Sequence, residues 1–302
     1  MTSPNPAKSG RTLNAAVTEL LSILDLESLE HNLYRGRSPK TGWQRVFGGQ
    51  VIGQAMVAAQ RTVPADRHIH SLHGYFMRPG DPAVPIIYEV DRIRDGGSFT
   101  TRRVVAIQHG KAIFSMSASF QIAEDGLDYF MPMPNQPDPD ELESDSQSKN
   151  RSLENAPEAV KNYWKRERPI EMRATSYEHF LSDKKLDPEQ HVWMRATDTI
   201  PDDQALHAAV LAYASDMTLL DTSLYPHGRK IFDPEMQVAS LDHAMWFHRP
   251  INVNDWILFA QDSPNSSGAR GYNRGSLYSR DGTLVASCVQ EGLIRVRDPN
   301  RA

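Results

Sequence analysis

Asp216 stands where a carboxylate has no local cation. In the run Ala208-Ala209-Val210-Leu211-Ala212-Tyr213-Ala214-Ser215-Asp216-Met217, helical spacing puts Ala212, Tyr213, Leu219 and Leu220 on its face, and none is Lys or Arg. A carboxylate there loses hydration without gaining an ion partner, so it needs hydrogen bonds from elsewhere in the chain. Two readings stand side by side: a base or water-orienting group near a cleft, or a buried or rim Asp satisfied by backbone or solvent. Gln290 poses the same question on a strand. Period two puts Leu284, Ala286, Cys288, Gln290, Gly292 and Ile294 on one face. An amide on that face can hold a water or a carbonyl, or serve as an ordinary satisfied core group. Ser240 shares a strand face with Val238, Asp242, Ala244 and Trp246, where a lone serine is by itself a small packing residue.

Other reactive types carry less. His68, His70 and His73 cluster, but no acidic or Cys partner has metal-ligand spacing nearby. His243 follows Asp242 directly, so strand alternation points the two apart. Cys288 is the single cysteine; its apolar strand suggests an inert core thiol, and alone it makes neither an intramolecular disulfide nor a Cys-held zinc. Trp246 and Phe247 are most simply core or interface aromatics. Gly-x-Ser-x-Gly, His-Glu-x-x-His, Walker A and post-strand Gly-x-Gly-x-x-Gly motifs are all missing, and no cofactor is expected. The net charge of -5, without a basic block, excludes nucleic acid as the expected partner. No apolar run reaches the roughly 18 residues of a membrane span. Met1 to Arg11 is polar and expected to be a loose tail rather than a signal peptide, and the final residues do not form a Ser-Lys-Leu address. A cytoplasmic location is the expectation.

The elements that must position these residues fall into two similar halves. Leu13 to Leu24 has helical apolar spacing. Gly48-Gly49-Gln50 opens a second helix, Val51 to Val63, whose small residues Gly53, Ala55, Ala58 and Ala59 permit close packing against a sheet. Strands are predicted at His70 to Phe76, Ile86 to Ile93, Thr101 to Ile107 and Ala112 to Ile122, separated by Gly-containing turns. Asp125 to Asn150 breaks the pattern with Pro132, Pro134, Pro137, Pro139 and the acidic stretch Asp138 to Asp145. It is expected to be a linker, partly mobile. Beyond it, strands at Ile170 to Thr175 and Val192 to Thr197 precede a helix from Pro201-Asp202-Asp203 to about Leu220. More strands follow at Gln237 to Phe247, Trp256 to Ala260, Gly271 to Tyr278 and Leu284 to Val296. Phe76, Arg78, Pro79, Gly97 and Arg103 recur at an offset of 171 as Phe247, Arg249, Pro250, Gly268 and Arg274. We read this as a tandem duplication. The helix-then-strands order of each half argues for α+β. The halves are placed at 12–124 and 169–297, with 125–168 between them.

Longer motifs resemble a known family. Val46-Phe47-Gly48-Gly49-Gln50-Val51 resembles the start of the first central helix of the acyl-CoA thioesterase II family. His73-Gly74-Tyr75-Phe76-Met77-Arg78-Pro79-Gly80-Asp81 is similar to its next signature. Leu241-Asp242-His243-Ala244-Met245-Trp246-Phe247-His248-Arg249-Pro250 and Val285-Ala286-Ser287-Cys288-Val289-Gln290-Glu291-Gly292 are similar to its C-terminal ones. The resemblance runs from about Leu13 to Arg295. It implies a double hotdog, two tandem repeats in which an antiparallel sheet wraps a central helix and the two sheets join. It also implies a catalytic Asp on the second central helix, a Ser or Thr on the following strand and a Gln on the last strand. By motif these fall on Asp216, Ser240 and Gln290. The implied reaction is hydrolysis of fatty acyl-CoA to free fatty acid and CoA by an Asp-activated water, with no acyl-enzyme. The family also implies a homo-oligomer, dimer or tetramer. Two rivals are a hotdog enoyl-CoA hydratase and a non-catalytic acyl-CoA binding or sensing protein. The hydratase places a His on the catalytic helix segment with its Asp, and no His lies four or five residues after Asp216.

Overall fold

Asn14 starts the first helix. Its side chain accepts from the Val17 N–H at 2.8 Å, and helix α1 (Ala15–Leu24) buries Val17, Leu20, Ile23 and Leu24 along one stripe. The structure, a computed structural model, describes residues 13–39, 44–143 and 167–297. The polar start, the final residues and 144–166 lie outside the described residues.

The first half continues with strands β1 (Glu27–Glu30) and β2 (Leu33–Gly36), helix α2 (Gly48–Gln60), and strands β3 (Arg67–Phe76), β4 (Ile86–Asp95), β5 (Phe99–Gln108) and β6 (Lys111–Ile122). The second has β7 (Ile170–Ala174), a helical turn at Glu178–Leu181, β8 (Glu189–Ala196), helix α3 (Gln204–Ser215) and a 3-10 segment, Leu219–His227. It ends with β9 (Met236–Ser240), β10 (Asp242–Phe247), β11 (Ile257–Ser267), β12 (Arg270–Ser279) and β13 (Leu284–Val296). The described strands form one antiparallel sheet in the order β1-β2-β4-β5-β6-β3-β10-β13-β12-β11-β8-β7, with β9 pairing beside β13. The order is a palindrome about the β3–β10 joint, where Leu72 pairs Met245 and Gly74 pairs His243. α2 and α3 pack against each other inside the curled sheet. This is the expected α+β double hotdog. Among the described residues no helix is long and apolar enough to cross a membrane.

The duplication is exact in places. β4 and β5 map onto β11 and β12 at the offset of 171, and both hairpins carry a bulge at the same point, Asp91/Arg94 and Asp262/Asn265. Cross-strand ion pairs repeat it: Arg103 with Asp91, and Arg274 with Asp262. The inner face differs. Arg102 is fully buried in the first half and ties down the end of α2. Its Nε donates to Thr62 Oγ1 at 2.8 Å, and its Nη2 donates to Thr62 O at 3.0 Å and Asp95 Oδ1 at 2.5 Å. In the second half that place belongs to Asn273, which also is fully buried.

Helix packing follows from small residues. α2 runs antiparallel to α3: a Cβ on Gly49 would meet Tyr213 O at 2.2 Å, and one on Gly53 would meet Ala209 O at 3.3 Å. At Gly49 only glycine lets the α2 backbone come that close, while at Gly53 a methyl would press its neighbours aside.

Three elements differ from the sequence reading. The β1–β2 hairpin was not expected; every residue of β1 is exposed, so it has no apolar alternation. The strand expected from Gln237 to Phe247 is broken at Leu241, which pairs through its N–H with Glu291 O. The helix expected to reach Leu220 stops at Ser215, and the chain tightens into the 3-10 segment. The described part of the segment after 125 makes specific contacts with the second half. Met133 and Leu142 pack on Trp193, Trp256, Leu258 and Tyr278. Trp193 Nε1 donates to Pro137 O, and Arg280 pairs with Asp138 and Asp140.

Candidate active site

Asp216 is the residue at which α3 ends, with φ -89° and ψ 1°. Asp203 caps the other end, its carboxylate accepting from the Ala205 and Leu206 N–H groups. A carboxylate at the negative end of its own helix is poorly placed. The antiparallel packing remedies this by aiming the N-terminus of α2 at it. The Gly49 N–H donates to Asp216, and a Cβ on Gly48 would lie only 2.5 Å from Asp216 Oδ2. The residue before α2, Phe47, provides no side-chain cap, so the first turn keeps N–H groups free of a local acceptor.

Two more donors meet the other oxygen. Ser240 Oγ donates to Asp216 Oδ1 at 3.1 Å, from the end of β9. Gln290 Nε2 donates to the same oxygen at 2.5 Å, from the middle of β13. The three residues singled out from the sequence are therefore in direct contact. Burial raises the Asp216 carboxyl from 3.8 to about 6, against the pull of Gln290, Ser240 and Gly49, whose hydrogen bonds favour the ionised form.

The break at Leu241 corrects the expected strand face. Ser240 does not share a face with Asp242 and Trp246. Asp242 turns away from the carboxylate and accepts the Glu291 N–H at 2.7 Å, while His243 turns inward and is 1% exposed. Alternation does separate Asp242 from His243, as expected. His243 instead contacts Ser215 Oγ at 2.9 Å and Gln290 Nε2 at 3.3 Å. Burial lowers its imidazole to about 4, so it is neutral at ordinary pH. Asp221, in the 3-10 segment, is a second buried carboxyl. Burial, then the charge of Asp216, raises it to about 7.

A cavity of about 300 Å³ opens beside the cluster. Gly48 and Ser240 form part of its wall, and Val46, Val51, Phe76, Ile113 and Phe114 make much of the rest apolar. Arg45 and Arg78 also line it, and both are exposed.

The remaining candidates do not join the cluster as reactive groups. Cys288 is buried, and burial followed by the nearby Asp216 charge pushes its thiol far up, away from a reactive thiolate. His70 Nε2 bonds Ser119 Oγ, and His73 packs edge-on against Trp246. Sequence reasoning missed two contributors. The Gly49 N–H is a backbone group, and its only trace is the Gly48-Gly49 pair that opens α2. For His243 the sequence shows only that alternation turns it from Asp242, and its partners Ser215 and Gln290 lie far away along the chain.

Comparison with known proteins gives a consistent picture. A family model described as acyl-CoA thioesterase matches residues 160–293, and one described as acyl-CoA thioesterase N-terminal domain matches 36–121. Acyl-CoA thioesterase 2 of Haemophilus influenzae is 38% identical over 92% of this chain and 98% of its own length. Acyl-coenzyme A thioesterase 8 of Mus musculus is 43% identical over 91% of this chain and 88% of its own. Among solved structures, an acyl-CoA thioesterase II from Mycobacterium marinum is 42% identical, with a TM-score of 0.76 over 92% of this chain and 99% of its own.

Proposed function

We propose that this chain, which belongs to the acyl-CoA thioesterase II family, hydrolyses fatty acyl-CoA with a water activated by Asp216. It is an acyl-CoA thioester hydrolase; the catalytic roles and the fatty acyl chain are the proposal. One observation supports the mechanism above the others. Asp216 has Oδ1 held by two donors, Oδ2 turned toward the start of α2, and a carboxyl raised to about 6 beside an apolar cavity.

A thioester carbonyl is already a good electrophile, so an oriented water suffices as nucleophile. Asp216 takes one proton from that water as its oxygen attacks the carbonyl carbon. The carbon–sulfur bond then breaks, and the proton held by Asp216 passes to the departing CoA sulfur. The products are the free acid and CoA, and the carboxylate is restored. A carboxyl raised toward neutral is a stronger base than an ordinary Asp while still mostly ionised at pH 7. Ser240 and Gln290 hold Oδ1 and so fix the carboxylate plane. The developing negative charge on the thioester oxygen faces the uncapped first turn of α2, whose N–H groups and dipole favour an anion. The apolar cavity suits the acyl chain, and Arg45 and Arg78 suit the phosphates of CoA. The reading extends to a homo-oligomer acting in the cytoplasm, which light scattering and cell fractionation test.

The test is a panel of short, medium and long acyl-CoAs with a thiol reagent, run on the wild type and on Asp216→Asn. The expected result is CoA release by the wild type and its loss by orders of magnitude in a folded Asp216→Asn variant. Near-normal release by that variant overturns the mechanism. Addition of water to an enoyl chain would identify a hydratase, and binding without turnover a sensor.

A further inference from the structure

We propose that His243 is a positioning residue that locks the side-chain amide of Gln290 in the one orientation able to serve Asp216. The inference rests on the mechanism above and extends it to a residue with no contact to the carboxylate.

The argument follows protons along a buried chain. Ser215 Oγ donates to Ala212 O at 2.9 Å, within its own helix turn. A hydroxyl has one proton, so that bond leaves Ser215 Oγ only lone pairs to offer. His243 Nε2, 2.9 Å away, must therefore carry the proton and donate to Ser215. The ring is neutral, with burial holding its pKa near 4, so Nδ1 is bare and acts as acceptor. Gln290 Nε2 lies 3.3 Å from it. The two amide protons of Gln290 are then both assigned, one to Asp216 Oδ1 and one to His243 Nδ1.

A flipped amide fails at both contacts. It would set Oε1 against the ionised Asp216 Oδ1 and against the bare His243 Nδ1, an acceptor facing an acceptor twice. With only the Asp216 contact, the amide could still turn each time the carboxyl gains a proton during turnover, because a protonated Asp can donate to Oε1. The His243 contact removes that freedom for as long as Ser215 fixes the tautomer. Ser215 and Gln290 are fully buried and His243 nearly so, which shields these contacts from bulk solvent. The lock leaves Gln290 Oε1 buried with no partner among the described residues. Leaving an amide oxygen unpaired is costly, which makes the preference for this orientation a consequence of the other contacts rather than of Gln290 alone.

Two measurements test it. In wild-type protein carrying ¹⁵N-histidine, a long-range ¹H–¹⁵N spectrum should show His243 neutral with the proton on Nε2; a proton on Nδ1 overturns the proposal whatever the kinetics. The second is a double-mutant cycle. His243→Phe keeps the ring and removes both nitrogens, and should lower kcat by roughly 10- to 100-fold with KM changed less than about twofold. In a Gln290→Ala background the same substitution should cost less than about twofold more, because the group it positions is gone. Equal losses in both backgrounds mean that His243 is merely structural. His243→Asn supplies an amide oxygen near the Nδ1 position and should recover part of the loss, which also covers failure of His243→Phe to fold. Normal turnover in Gln290→Ala would sink the mechanism itself. A loss there with none in His243→Phe sinks only the lock.

Discussion

Replacing Asp216 by Asn should remove a pH-dependent loss of stability and cut turnover by orders of magnitude. Folded, the carboxyl keeps its proton up to about pH 6; unfolded, it gives it up near 3.8. The native state therefore binds the extra proton between these values, and wild-type stability falls as pH rises through that window. Asn does not titrate, so the variant lacks this loss. Two pKa units at about 1.4 kcal/mol each set a ceiling of roughly 3 kcal/mol, of which roughly 2 kcal/mol develops between about pH 4.5 and about pH 7. Asn also offers an N–H₂ where the carboxylate had an oxygen, and losing the acceptor for Gly49 costs about 1–3 kcal/mol. That cost does not change with pH, so the slope reports the ionisation of Asp216 together with its coupling to Asp221. The assay is urea unfolding of both proteins at several pH values, taking the difference in extrapolated stability. A difference that stays flat from about pH 4.5 to about pH 7 refutes a raised carboxyl, and with it the claim that burial outweighs the three donors. Turnover at neutral pH should fall by roughly 10²–10⁴, the usual worth of a general base.

Other perturbations address neighbouring groups. Wild-type kcat/KM should rise with pH through about 6 and level off, since the base form is required. In Ser240→Ala that rise should move to higher pH, because a donor favouring the ionised form is gone; a pH–rate profile checks it, and a downward move contradicts the assignment. Gly48→Ala places a methyl 2.5 Å from Asp216 Oδ2. It should cost roughly 1–3 kcal/mol in stability and depress turnover more than substrate binding, as a melt and a KM-against-kcat comparison would report. Arg102→Met leaves the Thr62 carbonyl and hydroxyl without their buried donor, while the exposed Asp95 returns to solvent, and should destabilise by about 1–3 kcal/mol. Because it lies in the other half, its kcat per folded molecule should hold.

The duplicated strands were legible because their punctuation recurs at 171 residues and their faces alternate. The same offset holds in space for Asp91, Arg103, Asp262 and Arg274. The β1–β2 hairpin was not legible, since β1 is exposed throughout and the four-residue β2, paired to β4, sends only Tyr34 into the core. At the site, Asp216 was visible as a carboxylate without a local partner. Ser240 and Gln290 were not distinguishable from packing residues, because what marks them is a contact spanning 24 and 74 residues. The break at Leu241 was the least accessible feature. Little in Ala239-Ser240-Leu241-Asp242 marks a break, yet the break lets Ser240 turn toward Asp216 and His243 toward Gln290.

The palindromic sheet has an interior that is not palindromic. Where the second half ends its helix on Asp216, the first ends on Arg61. Opposite β3 and β5, the places of Gln290, His243 and Asn273 are taken by Ala118, Leu72 and Arg102. The starts of the helices have diverged too, Gly48-Gly49 in one and Asp203-Gln204 in the other. At these interior positions each half keeps what the other lacks. Two copies of the second half would set Asp216 against the acidic start of α3, and two copies of the first would bring a glycine amide to an arginine. The fused chain thus joins two unlike halves in one polypeptide, with one carboxylate-bearing helix end where two identical second halves would present two.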